Sequence, residues 1–242
     1  MDRKSTYIGY DPREAEAFAA CRESIRHRLN QPIKTHGLVL AGLRDKGLYY
    51  RPTEYRPSAE KPVLWDVISD APMSTEFAIS RFLVKHLAGT GWALFMDCDM
   101  LVMTDLAEVF RGLDRSKAVY CVKHKHEPKN ATKMDGQMQT FYRRKNWSSF
   151  MIFNCDHPFN AVLTPEYVNS LPGRDLHAFC WLKDKEIGEL ISKEAAGDLR
   201  ARVLADPSLL GKTLDLVVLE ANEIENLTAP GTPLSGAILE QH

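Results

Sequence analysis

Asp97 and Asp99 stand one residue apart at the end of the apolar run "WALFM", inside the stretch "GTGWALFMDCDMLVMTDL". Two carboxylates that close repel each other, and the hydrophobic residues on both sides place them away from any solvated charged face. A hard divalent cation relieves that repulsion, because such ions take their oxygen ligands from closely spaced carboxylates. If the extended backbone of the strand continues through Asp99, residues i and i+2 lie on one side and both acids converge on one ion. One aspartate at a strand end is ordinary turn chemistry. Two in this register point to a metal.

Two reaction classes use such a pair after a buried strand. In phosphohydrolases of the haloacid-dehalogenase type, the first aspartate is a nucleophile and the second an acid/base. That motif continues with Thr or Val and closes the first strand of its fold, whereas position 101 is Leu here and a long stretch of chain precedes the pair. In nucleotide-sugar transferases the pair holds Mn2+ or Mg2+ against a diphosphate. Breaking a sugar–phosphate bond concentrates negative charge on the departing nucleoside diphosphate, and a Lewis acid stabilises that charge as it forms.

The elements that must position the pair follow from the pattern around it. "TYIGYD" (Thr6 to Asp11) reads as a strand ending at Asp-Pro. Phe18, Cys21, Ile25 and Leu29 recur at helical spacing between Arg13 and Leu29. "IKTHGLVL" (Ile33 to Leu40) reads as a second strand, and residues 42–62 as an irregular, turn-rich segment. Ser74 or Thr75 caps an expected helix running to about Leu87, which Gly89 and Gly91 stop. "WALFM" is a buried strand, followed by strands at Ala118 to His124 and Ser148 to Asn154. Strands alternating with helices define a doubly wound α/β sheet, whose ligands bind beyond the carboxyl ends of the strands. Asp11, Asp97 and Asp99 all fall at such ends. Residues 191–204 read as a helix, Leu214 to Asn222 as a strand, and the last residues as loosely ordered.

These segments together resemble a GT-A glycosyltransferase of the family 8 type, related to glycogenin-like and bacterial galactosyl- or glucosyltransferases. "YIGYDPRE" resembles the opening strand that meets the nucleotide. "STEFAISRFLVKHLAGTGWALFMDCDMLVMTDLAEVF" resembles the family's helix with its Ser/Ala-Arg pair, then its strand and Asp-x-Asp. "NWSSFMIFNCDHP" sits where a small-residue strand lines the sugar site, and "LHAFCWLKDKEIGEL" where a substrate-facing helix is expected.

The resemblance implies a GT-A α/β fold with a mixed, mainly parallel central sheet. It implies one Rossmann-like domain over residues 1–190 and a divergent extension over 191–242. It also implies transfer of a hexose from a UDP-sugar to a hydroxyl acceptor (a sugar, glycan or protein), with retention of configuration. By the same resemblance Asp99 chelates Mn2+ or Mg2+, and Asp97 binds the metal and contacts the ribose. Arg81 approaches the diphosphate, Tyr10 and Asp11 contact the uridine, and Ser148 and Ser149 hydrogen-bond the sugar. Family 8 enzymes usually draw a third metal ligand from a C-terminal His followed by Gly and Lys-Pro-Trp. After Leu190 the only histidine here is His242. A catalytically silent nucleotide-sugar-binding module therefore stands as an alternative, and a phosphohydrolase as a further one.

Other features carry less. "VKHKHEPKNATKMDGQMQTFYRRKNW" is the most polar stretch; it suits an anionic ligand, but most of its charges, with the pair His124 and His126, read as a solvated loop. His177, among Leu, Phe and Trp, reads as a hydrogen-bonded core histidine. "SLLGKT" lacks the first glycine of a phosphate loop, because Asp206 occupies that position. Five cysteines without C-x-x-C spacing read as reduced thiols, mostly core residues. A net charge of -1 argues against a general nucleic-acid binder. The absence of an apolar leader or spanning run sets the expectation of a cytoplasmic protein with no membrane span.

Overall fold

The computed structural model describes residues 2–59, 61–102, 105–123, 144, 147–190 and 218–220. In chain order the elements are β1 (Lys4–Gly9), α1 (Ala15–Arg28), β2 (Lys34–Leu38) and α2 (Leu40–Asp45). A small unit of β3 (Thr53–Arg56), β4 (Val63–Asp66) and β5 (Ala71–Pro72) follows. Then come α3 (Val84–Ala88), β6 (Trp92–Met96), β7 (Met100–Val102), β8 (Val119–Cys121) and β9 (Phe150–Asn154). The described chain closes with α4 (Pro165–Ser170), α5 (Gly173–His177), β10 (Ile187–Glu189) and β11 (Val218–Glu220).

Six strands make the main sheet, in the order β10-β8-β9-β6-β1-β2. β1 runs parallel to β2 and β6, and β10 parallel to β8, while β9 is antiparallel to both β6 and β8. The expected mixed, mainly parallel sheet is thus observed. β6 and β9 are buried at every position because chain covers both faces, which is why they read as continuous apolar runs without alternation. Leu94, Phe95, Ile152 and Phe153 are fully buried, each worth about 1.5–3 kcal/mol relative to exposure. Phe18 of α1 lies over Gly37 of β2, whereas Phe77 lies over Gly9 of β1. Gly37 is in register with Ile8, so these rings cover opposite faces of the sheet.

Several sequence expectations are corrected here. β1 begins two residues earlier than expected and ends at Gly9, because Lys4 and Ser5 already pair with Trp92 and Ala93 of β6. Residues 42–62 contain most of α2 and all of β3, so the segment is more regular than its composition suggested; β3 pairs with β4, and β4 with β5. The helix expected from Ser74 or Thr75 does not start there. The chain turns through residues 75–79, makes a 3-10 turn at Ser80–Leu83, and becomes α-helical only at Val84–Ala88. In this turn the Glu76 N–H donates to the Asp11 carboxylate, a partner from a distant part of the chain. The stop at Gly89 and Gly91 is as expected. Gly91 has φ +79°, and a Cβ there would drive into the Arg3 carbonyl oxygen, so only glycine turns the chain into β6 at this point.

β11 lies within the strand expected at Leu214 to Asn222 and pairs antiparallel with β7. The helix expected over residues 191–204 and the C-terminal tail lie outside the described residues. Four of the five free cysteines are buried and Cys180 is exposed. Among the described residues, no helix is long and apolar enough to cross a membrane.

Candidate active site

The carboxyl end of β6 meets the start of β9, because these neighbours run in opposite directions. Met96 pairs with Phe150, and the ladder extends one step further through the Asp97 N–H, which donates to the Ser149 carbonyl at 2.9 Å. The chain then turns through Cys98 and Asp99 into β7. Burial alternates through this turn: Cys98 and Met100 are buried, Asp97 and Asp99 half-buried. Both acids are thus more open than the residues that flank them. Cys98 donates from Sγ to the Glu14 carboxylate at 3.1 Å, pinning the turn to the chain just ahead of α1. Burial, the Glu14 hydrogen bond and nearby carboxylates push the Cys98 thiol pKa up. It stays protonated, as a donor must.

Arg81 is brought directly to this turn. Its Nη1 lies 2.9 Å from the Asp97 carboxylate and donates to the Ser148 carbonyl at 2.8 Å. The guanidinium centre sits 5.3 Å from the Phe77 ring and 4.8 Å from the Phe95 ring. Only 5% of the residue is exposed. A buried cation among aromatic faces, carbonyl and carboxylate is held in one orientation. By residue type and spacing alone it is indistinguishable from a surface arginine on a helical stripe.

Asp11 is fully buried at the end of the segment that follows β1, and its oxygens are engaged within the fold. It accepts from the Arg13 N–H and Nε at 2.9 Å each, from Arg13 Nη2 at 2.6 Å and from the Glu76 N–H at 3.0 Å. Burial alone would raise its pKa, but these bonds overcome that and hold it at about 2. Arg13 also donates to the Ser74 carbonyl, so Asp11 ties the β1 end to the turn that carries Arg81. Tyr10 is half-buried, its ring edge-on to Phe18 at 5.1 Å.

Ser148 is buried and Ser149 half-buried. The Ser148 hydroxyl lies 2.6 Å from Nδ1 of His177 in α5. His177 is hydrogen-bonded, as expected of it, and half-buried. Enclosure of its ring, with the positive charge of Arg81, lowers its pKa to about 3 despite a hydrogen bond to the Ala78 backbone. Arg144, from the polar stretch, is likewise no solvated charge: it donates to the Ala178, Phe179 and Leu182 carbonyls and pairs with Asp184. His124, His126, Lys133, Asp135 and Arg143 lie outside the described residues.

Glu14, Phe77 and Phe95 were missed as site residues because their roles are contacts between distant segments. No local pattern marks such contacts.

Among the described residues, no cluster of three His, Cys, Asp or Glu side chains could enclose a metal ion. Two half-buried carboxylates one residue apart still fit Mg2+ or Mn2+. Such an ion commonly binds through one or two carboxylates and completes its shell with water and substrate phosphate oxygens.

With sheet order, strand directions and site in hand, the class can be stated. The fold is the α/β fold of GT-A glycosyltransferases. The match to the bifunctional glycosyltransferase WbbM covers 100% of this chain and 52% of that one, with a TM-score of 0.51 and 14% identity. The glycosyltransferase GlyE of Streptococcus pneumoniae matches 99% of this chain and 60% of its own, with a TM-score of 0.48 and 12% identity. In sequence, the chain is 44% identical over 185 residues to Protein CDI of Arabidopsis thaliana, which covers 76% of this chain. The chain spans 65% of that relative's length. No family model matches the chain.

Proposed function

We propose that the protein is a metal-assisted glycosyltransferase that moves a hexose from a UDP-sugar to a hydroxyl acceptor with retention of configuration. The observation that carries this reading is the joining of Asp97, the first acid of the Asp97/Asp99 pair beyond the carboxyl end of β6, to a buried arginine fixed on the Ser148 carbonyl. In a GT-A fold, that end of the sheet is where a nucleotide diphosphate would lie.

Asp97 and Asp99 would hold Mn2+ or Mg2+, which supplies Lewis-acid stabilisation of the leaving diphosphate when bound. Arg81 adds a fixed positive charge within a water-poor wall, where it acts more strongly than in water. Tyr10 would contact the uracil base, and the half-buried Ser149 a sugar hydroxyl. The Asp11 carboxylate is taken up by Arg13 and Glu76, so its contribution to uridine binding is to hold the Tyr10 backbone in place. In the transfer, the bond from the anomeric carbon to the diphosphate breaks and a bond to the acceptor oxygen forms on the same face. The acceptor's proton passes to the departing diphosphate, so no strong side-chain base is needed.

The test is calorimetric titration of UDP with and without Mn2+, on the wild type and on Asp99→Asn. Metal-dependent binding that Asp99→Asn abolishes is expected; metal-independent or absent binding in the wild type would overturn the reading. A second reading has one observation in its favour, the lack of a three-ligand cluster among the described residues. A silent module would bind UDP with metal but release no UDP from any UDP-hexose in the presence of acceptors. Release of inorganic phosphate from simple esters would instead mark a phosphohydrolase.

A further inference from the structure

His177 touches both halves of the apparatus that holds Arg81. On one side its Nδ1 lies 2.6 Å from the Ser148 hydroxyl, and the carbonyl of that same serine accepts from Arg81. On the other side its ring hydrogen-bonds the backbone of Ala78, at the start of the turn that carries Arg81. Phe82, the residue after Arg81, packs edge-on against the imidazole at 5.2 Å. In the neutral ring one nitrogen donates and the other accepts, so Nδ1 can accept from the Ser148 hydroxyl while the other ring nitrogen keeps its proton. A charged imidazole could not accept from Ser148 and would repel Arg81, consistent with the lowered pKa.

We infer that His177 is a positioning residue: its neutral imidazole ties the Ala78–Leu83 turn to Ser148 and thereby sets the Arg81 guanidinium against Asp97. The Ser148 hydroxyl then serves His177 rather than a sugar, and Ser149 is the serine left to the substrate. The inference rests on the reading of Arg81 and Asp97 as a diphosphate site, but the position of Arg81 can be tested without it.

Three variants separate the possibilities. His177→Phe keeps a ring against Phe82 and removes both hydrogen bonds. Ser148→Ala removes the hydroxyl and keeps the carbonyl. His177→Asn places an acceptor where Nδ1 stood. Crystal structures of the first two are expected to show the Arg81 guanidinium displaced from the Ser148 carbonyl or from Asp97. Both should weaken Mn2+-dependent UDP binding by about tenfold. The double variant His177→Phe with Ser148→Ala should lose no more than either alone, as for groups acting through one link. His177→Asn should recover most of the affinity, which a merely structural loss of packing would not allow. If Arg81 keeps its place in the His177→Phe and Ser148→Ala crystals, or if affinity is unchanged in both, the inference is wrong. If the wild type binds no UDP at all, the proposed function fails, and the position of Arg81 in the crystals still decides this point. Should His177→Phe not fold, Ser148→Ala carries the same comparison.

Discussion

At the scale of single residues, the site depends on groups whose ionisation and shape are fixed by their surroundings. Arg81 reaches Asp97 and the Ser148 carbonyl from one planar head stacked near two phenylalanine rings. A lysine carries the same charge but lacks the planar head that lies over these rings and the Nε that also reaches the Phe77 carbonyl at 3.4 Å. Arg81→Lys is expected to lower Mn2+-dependent UDP affinity by about tenfold or more, measured by calorimetry, with the circular dichroism spectrum unchanged. His177 makes a second prediction. Its folded pKa of about 3 lies below its ordinary 6.5, so on acidification the unfolded chain takes up the proton first. The stability it contributes is complete above pH 6.5 and is lost as pH falls from 6.5 towards 3, by at most about 1.4 kcal/mol per pH unit. Urea midpoints at pH 7 and 4.5 should fall further for the wild type than for His177→Asn. Asp11 does not confuse that window, because its depressed pKa of about 2 matters only below its ordinary 3.8.

At the scale of elements, the apposition of strand ends does the positioning. β9 runs against β6, so its first residues stand beside the last residues of β6, and this brings Ser148 and Ser149 to Asp97. β1 contributes Gly9, over which the Phe77 ring lies. A Cβ at Gly9 would fall 2.5 Å from Phe77 Cγ, and a ring hemmed in by Arg81 and Phe95 has little room to yield. Gly9→Ala is therefore expected to cost about 1–3 kcal/mol of stability. It should also weaken metal-dependent UDP binding, because Phe77 is one wall of the arginine slot. Chemical denaturation and calorimetry on the same preparation check both; a loss of stability with intact affinity would show that Phe77 moves without Arg81.

At the scale of the whole molecule, two long-range ties matter. Arg51 and Asp66 form a buried bidentate pair at 2.5 and 2.6 Å, and Arg51 also donates to the Val168 and Leu171 carbonyls. This joins the small β3–β5 sheet to the α4 region. Asp66→Asn leaves Arg51 buried without its counter-charge, an expected loss of about 3–5 kcal/mol. That corresponds to a melting temperature lower by roughly 6–20 °C, and calorimetry at low temperature should find UDP affinity unaltered. The second tie is β11, which pairs with β7 immediately after Asp99. Leu219→Pro removes a backbone donor and is poorly tolerated inside a ladder. It should reduce metal-dependent UDP affinity while the main sheet persists, read by calorimetry and far-UV circular dichroism together.

The sequence by itself determined the parts whose signal is local. Apolar runs bounded by turn residues marked β6 and β9, periodic spacing marked α1, and Gly89 with Gly91 marked the approach to β6. The Asp97 and Asp99 pair was legible because charge inside an apolar run needs a reason. Tertiary structure alone decided the rest. The helix expected from residue 74 starts ten residues later, after a turn that the Glu76 N–H ties to the distant Asp11. Arg81 became a buried cation only because Phe77, Phe95 and Ser148 surround it. His177 and Ser148 lie 29 positions apart in sequence and 2.6 Å apart in space. The physical reason is that strand propensity and charge clustering are set by neighbours along the chain. The partner that an arginine or a histidine finds is set by which strand ends and turns the fold lays side by side.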